Sequence, residues 1–142
     1  MTMTPHISLS FNGQCEAAFK FYERCLGAKI ATMFKYGDSP MAAEAPVAWR
    51  DKVLHASLTV GEGTVLGSDT LPHQYERPKG FAVLLQIDDD AEAERVLDAL
   101  SENGTVKMAI QKTFWASRFG VLTDQFGIPW TINCEDASVS EP

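Results

Sequence analysis

The chain has 142 residues, a size at which one domain buries about two-thirds of the surface its unfolded form exposes, so folding requires neither a disulfide nor a structural metal. Twelve Lys and Arg stand against 19 Asp and Glu, a formal charge of -7 without any basic run, which argues against nucleic acid and anionic membrane as partners. No apolar run approaches the roughly 20 residues of a membrane helix, and the opening MTMTPHIS lacks the basic-then-apolar layout of a secretion signal, so a cytoplasmic location is expected.

In chain order, His6 to Phe11 alternates apolar Ile7, Leu9 and Phe11 with polar His6, Ser8 and Ser10, the period of a strand with one buried face. Asn12 or Gly13 then caps a helix from Gln14 to Leu26. Its apolar positions Cys15, Ala18, Phe19, Tyr22, Cys25 and Leu26 recur at three-and-four spacing, and Gly27 supplies the left-handed stop. A strand follows from Ala28 to Tyr36. The stretch from Gly37 to Arg50, with Pro40 and Pro46, is a long loop and a lid candidate, over whose end Trp49 could close. Val53 to Val60 and Thr64 to Ser68 form a hairpin, the first strand setting Leu54, Ala56, Leu58 and Val60 against His55, Ser57 and Thr59.

After a proline-containing connector from Asp69 to Lys79 the order begins again. Phe81 to Ile87 is a strand, Asp89 or Asp90 caps a helix through Leu100 that buries Ala93, Val96, Leu97 and Leu100, and Gly104 ends it. Strands run from Thr105 onward. The last two apolar runs, Phe114–Thr123 and Ile128–Cys134, meet at Asp124, Gln125, Phe126 and Gly127, which have hairpin-turn chemistry. The two helix-ending glycines lie 77 positions apart (104 minus 27), so the layout repeats. Two βαβββ modules follow, about 5–69 and about 80–135, in a single domain spanning 1–142 with a flexible tail at 136–142. The fold class is α+β, with antiparallel sheets, each covered outside by its helix, paired around a cleft. Cys15, Cys25 and Cys134 are an odd set; the first two, about 15 Å apart along one helix, are too far to bridge, so reduced thiols are expected.

Alternation turns His6, Ser8, Ser10, His55, Ser57, Thr59, Ala82, Leu84, Gln86, Thr131 and Asn133 toward the cleft, a set of polar groups suited to water or a polar ligand. Arg118, between Ser117 and Phe119 in an apolar strand, could anchor a carboxylate or phosphate, or pair internally with Asp124 or another acid. Trp115 and Trp130 could stack on a ligand or pack; Trp130, opposite Thr131, should pack on a helix. The candidate ligand-binding residues are therefore His6, His55, Trp115, Arg118, Thr131 and Asn133. Nucleotide cradles are excluded, because Gly61, Glu62 and Gly63 join two strands with no helix after them.

The FYERCLGAKI helix exit, the LTVGEGTVLGSD hairpin and the FWASRFGVLTDQFGIPWTINCE ending resemble the PhnB-like branch of the vicinal oxygen chelate (glyoxalase/bleomycin resistance/dioxygenase) superfamily, over about Pro5 to Glu135. The resemblance implies a glyoxalase-like fold and a homodimer. It also implies a divalent metal held by His, Glu or Gln from the first, fourth, fifth and eighth strands. Those places fall here at His6, at Gly67 or Ser68, at Phe81 or Ala82, and at Thr131, so one ligand of four remains. The expectation is a small-molecule-binding protein with no metal and no cofactor. The alternative is a metal-dependent lyase, isomerase or dioxygenase, with a site rebuilt from His6, His55 and Asp69 as one route; metal-free acid-base catalysis by His6 or His55 is a third.

Overall fold

A computed structural model describes residues 1–136 of the chain; the expected flexible tail, apart from Asp136, lies outside the described residues. The chain divides into two compact units, residues 1–76 and 77–142. Each is a βαβββ module with one helix and a four-stranded sheet.

In the first unit β1 (Ile7–Phe11), α1 (Cys15–Leu26), β2 (Lys29–Lys35), β3 (Val53–Val60) and β4 (Gly63–Asp69) make a sheet of order β1-β4-β3-β2. β1 lies parallel to β4, from Ile7 opposite Val65 to Phe11 opposite Asp69, and the other pairings are antiparallel. One face packs on α1 and buries Leu9, Phe11, Ala56, Leu58 and Val65 against Cys15, Ala18, Phe19 and Tyr22. Close packing is set by Gly67, where a Cβ would lie 2.6 Å from the Phe19 ring. Gly27 ends α1 at φ 66 as expected. Two expectations fail here. Phe21, not Leu26, completes the buried face of α1. The helix start is capped neither by Asn12 nor by Gly13: Cys15 N donates to Asp69 Oδ1 at 2.9 Å, an acceptor 54 residues away that sequence spacing does not reveal.

The stretch after β2, the lid candidate, carries backbone hydrogen bonds of its own. Its neck is closed by Tyr36 N to Lys52 O at 3.0 Å and Gly37 N to Arg50 O at 2.8 Å, it contains two short 3-10 turns, and the Trp49 ring lies beside Gly13.

In the second unit β5 (Val83–Gln86), α2 (Asp90–Leu100), β6 (Thr105–Gln111), β7 (Ala116–Thr123) and β8 (Pro129–Glu135) repeat the plan, with order β5-β8-β7-β6 and β5 parallel to β8. Asp89 caps α2 by accepting from Glu92 N at 2.8 Å, and Ala93, Val96, Leu97 and Leu100 are buried as the periodicity predicts. Gly104 is not the left-handed stop; Asn103 takes that conformation at φ 58, and Gly104 is instead required because a Cβ would sit 2.4 Å from Thr123 O. The β7–β8 turn is organised by buried Asp124, whose Oδ1 accepts from Phe126 N and Ile128 N and whose Oδ2 accepts from Trp130 Nε1 at 2.9 Å. Trp130 is thereby fixed, fully buried, on the α2 side of its sheet, beside Ile132 and Val83. No helix among the described residues is long and apolar enough to cross a membrane.

Candidate functional site

Each sheet buries one face under its helix and leaves the other free of any helix. The helix-free faces hold the polar side chains that alternation turns away from the helices. In the first unit alternation places Ser8 and Ser10 of β1, Leu66 and Ser68 of β4, His55, Ser57 and Thr59 of β3, and Thr32 and Phe34 of β2 there. Strand register arranges them in rungs: Ser8, Leu66, Ser57 and Thr32 form one, and Thr32 Oγ1 lies 2.8 Å from Ser57 Oγ. His55 is exposed and stacks on Phe34, ring centroids 6.5 Å apart at an interplanar angle of 21°. His6 precedes β1 and is exposed. β4 stands between β1 and β3, so His6 and His55 belong to strands that are not neighbours.

The second unit's helix-free face has a different character. One rung runs Gln86, Asn133, Phe119 and Gln111, and the next runs Leu84, Thr131, Val121 and Met108. The edge of Trp115 packs on Phe119 at 5.1 Å between centroids, with Phe114 at 4.8 Å beyond it. Asn133 is 8% exposed, and its Nδ2 donates to Gln86 Oε1 at 2.5 Å. Asn133 Oδ1 is enclosed and accepts from no donor among the described residues. A buried acceptor left so costs about 1 to 3 kcal/mol.

Thr131, Asn133 and Trp115 are thus brought to one face. Arg118 is not with them. Arg118 is in phase with Gly120 and Leu122 and pairs with Cys134, so it leaves β7 on the α2 side, where Nε donates to Glu94 Oε1 at 2.8 Å and Nη1 lies 3.6 Å from Asp90 Oδ2. The bond to Glu94, then the charge of Asp90, holds its pKa above the ordinary arginine value. Of the two sequence readings the internal pair is the one formed, with Glu94 and Asp90 as partners; Asp124 is occupied by the turn and Trp130. Phe119 and Phe34 join the site only through register. Gln86 shows in the alternation of its strand, while Phe34 and Phe119 read as core residues until their cross-strand partners are known.

A sequence model of the Glyoxalase/Bleomycin resistance protein/Dioxygenase superfamily matches residues 5–132. The chain belongs to this superfamily. Protein YjdN of Escherichia coli K12 is 34% identical over 141 residues, covering 94% of this chain and 95% of that protein. The solved structure of PA1353 from Pseudomonas aeruginosa is 43% identical, with a TM-score of 0.82 over 93% of this chain and 98% of that one. A Bacillus cereus PhnB protein, described as a putative 3-demethylubiquinone-9 3-methyltransferase, shares the fold at 19% identity, with a TM-score of 0.77 over 93% of this chain and 99% of that one.

The superfamily's implied metal can now be tested against the residues present. His6 is the single imidazole at the four implied places. Gly67 faces α1, Ser68 and Thr131 bring hydroxyls, and Phe81 and Ala82 bring no donor. Among the described residues no three His, Cys, Asp or Glu side chains are grouped so as to hold an ion. The rebuilt set of His6, His55 and Asp69 does not form either: Asp69 is 1% exposed on the α1 side, its two oxygens accepting from Cys15 N and Val53 N, both at 2.9 Å. These residues do not fit a divalent transition ion.

Proposed function

We propose that this superfamily member is a PhnB-like protein that binds a small polar or aromatic molecule on the helix-free face of a sheet, without the metal of its glyoxalase-type relatives. The observation that carries the reading is the donor set at the four implied ligand places, one imidazole among hydroxyl, methyl and aromatic groups. His55 on Phe34 in one unit, and Thr131, Asn133 and Trp115 in the other, supply polar contacts and aromatic walls; His6 supplies a further imidazole. The working form is a cytoplasmic homodimer.

Elemental analysis tests the reading. Protein purified without chelator or affinity metal should carry far less than one mole of Mn, Fe, Co, Ni, Cu or Zn per chain, before and after incubation with those ions. A ratio near one, lost on His6→Ala, overturns the reading in favour of metal-dependent chemistry on vicinal oxygens. A thermal-shift screen of small polar and aromatic compounds should yield binders whose effect weakens in His55→Ala or Thr131→Val; a metal-free protein that binds none of them also sinks it.

A further inference from the structure

We propose that the ligand of the Gln86–Asn133 face carries an N–H or O–H donor and no net negative charge, as an uncharged or cationic ring compound of the phenol or aromatic-amine class does. The inference rests on the reading above that this face binds a small molecule, and it specifies which kind. Two independent features point the same way.

The first is the amide of Asn133. Its Nδ2 gives one of its two N–H groups to Gln86 Oε1, and its enclosed Oδ1 lacks a donor. A carbonyl oxygen accepts and never donates, so the partner it lacks must bring the hydrogen. A carboxylate or phosphate there would set acceptor against acceptor. Gln86, which shares this rung and bonds Nδ2, is itself exposed.

The second is charge. On β5, β7 and β8 alternation places Leu84, Gln86, Phe119, Val121, Thr123, Thr131, Asn133 and Glu135 on this face, and Glu135 is the one ionisable side chain among them. The cation that the sequence offers for an anion, Arg118, is held by Glu94 and Asp90 on the opposite side. Phe119 shares the rung of Asn133, Leu84 and Val121 share the next, and Trp115 lies beyond Phe119, so apolar side chains flank the amide on its own face.

Three probes of similar size separate the possibilities: phenol, benzylamine and benzoate, titrated into the full nitrogen-15-labelled chain while the side-chain amide resonances of Asn133 and Gln86 are followed. Phenol and benzylamine should move the Asn133 resonances and bind at least about tenfold tighter than benzoate. Asn133→Leu should weaken both by about tenfold or more. Asn133→Asp, which keeps an acceptor in nearly the same shape, should retain phenol and tighten benzylamine; it carries the test if Asn133→Leu does not fold. Benzoate binding as tightly as the donors, donor binding indifferent to both substitutions, or no binding by any of the three would each overturn the assigned class. Benzoate preference would leave the broader binding reading standing, whereas a stoichiometric metal in the same preparation would remove the metal-free reading whichever probe binds.

Discussion

At the scale of single residues, two buried carboxylates do comparable work in the two units by different routes. Asp69 joins the start of α1 to the start of β3, and Asp124 gathers the β7–β8 turn and the Trp130 indole. Replacing Asp124 by Ala strands three N–H donors, at least two of them in buried surroundings. Asp124→Ala should cost on the order of 3 kcal/mol, read from urea denaturation, with Trp130 fluorescence altered in the native state. Asp124→Asn, which keeps one carbonyl acceptor, should lose less; equal stability of wild type and Asp124→Ala would remove the turn-organising role. Neither role was legible in the sequence. Asp124 shows there as a turn former and a possible partner for Arg118, and Asp69 as the start of a connector and one member of a rebuilt metal set. Hydrogen bonds that span 54 or 16 residues leave no local pattern. Thr131 and Asn133, by contrast, were legible, because alternation against buried Trp130 and Ile132 fixes their face.

At the scale of elements, α2 is tied to its sheet by packing and by a polar seam. Leu97 lies over Gly120, while Ser117 Oγ lies 2.5 Å from Asp90 Oδ1 and Arg118 reaches Glu94 and Asp90. The hydrogen bond from Ser117, then that involving Cys134 and the charge of Arg118, holds the Asp90 carboxyl below its ordinary range. A carboxyl depressed on folding contributes stability that is present above its unfolded pKa, about 4, and disappears as pH falls through the lower folded value. Urea midpoints measured from about pH 6 down to about pH 2.5 should therefore fall more steeply for wild type than for Asp90→Asn. Parallel curves would show that the seam does not contribute to stability. The element boundaries were legible where a helical or alternating period runs long, as in both helices and in β3. They were less so where close approach, not backbone dihedral, selects glycine: Gly104 reads as a helix stop but is required by the Thr123 carbonyl.

At the scale of the whole molecule, the two units share a plan and differ in what their helix-free faces offer. The first is rich in hydroxyl and imidazole groups; the second is apolar around one amide pair. The fold class was legible because the order of strands, helix and strands recurs with its own punctuation. The side taken by Arg118 was not, since it follows from its phase with Gly120 and Leu122 only once those are known to face α2. If the chain lacks a metal centre, its Tm should be the same in EDTA and with added Mn, Co, Ni or Zn. An ion held by the native state alone stabilises by about 2.7 kcal/mol at a hundred times its Kd, which a melting curve resolves easily. A rise of several degrees with any one ion would contradict the metal-free reading.

The parallel pairing of each unit's first strand with its last bears on the order in which the units assemble. Ile7 meets Val65 across 58 positions (65 minus 7), and Val83 meets Trp130 across 47 (130 minus 83). The hairpins β3–β4 and β7–β8 join neighbours in the chain and form on the microsecond scale, whereas parallel contacts must wait for a much larger loop to close. This topology predicts that β1 and β5 dock late, after their hairpins, so substitutions at Ile7 and Val83 should speed unfolding more than they slow folding. Until then the exposed flanks of β4 and β8 are open strand edges, so the growing chain is most vulnerable to pairing with its neighbours at the edge its own first strand will later cover.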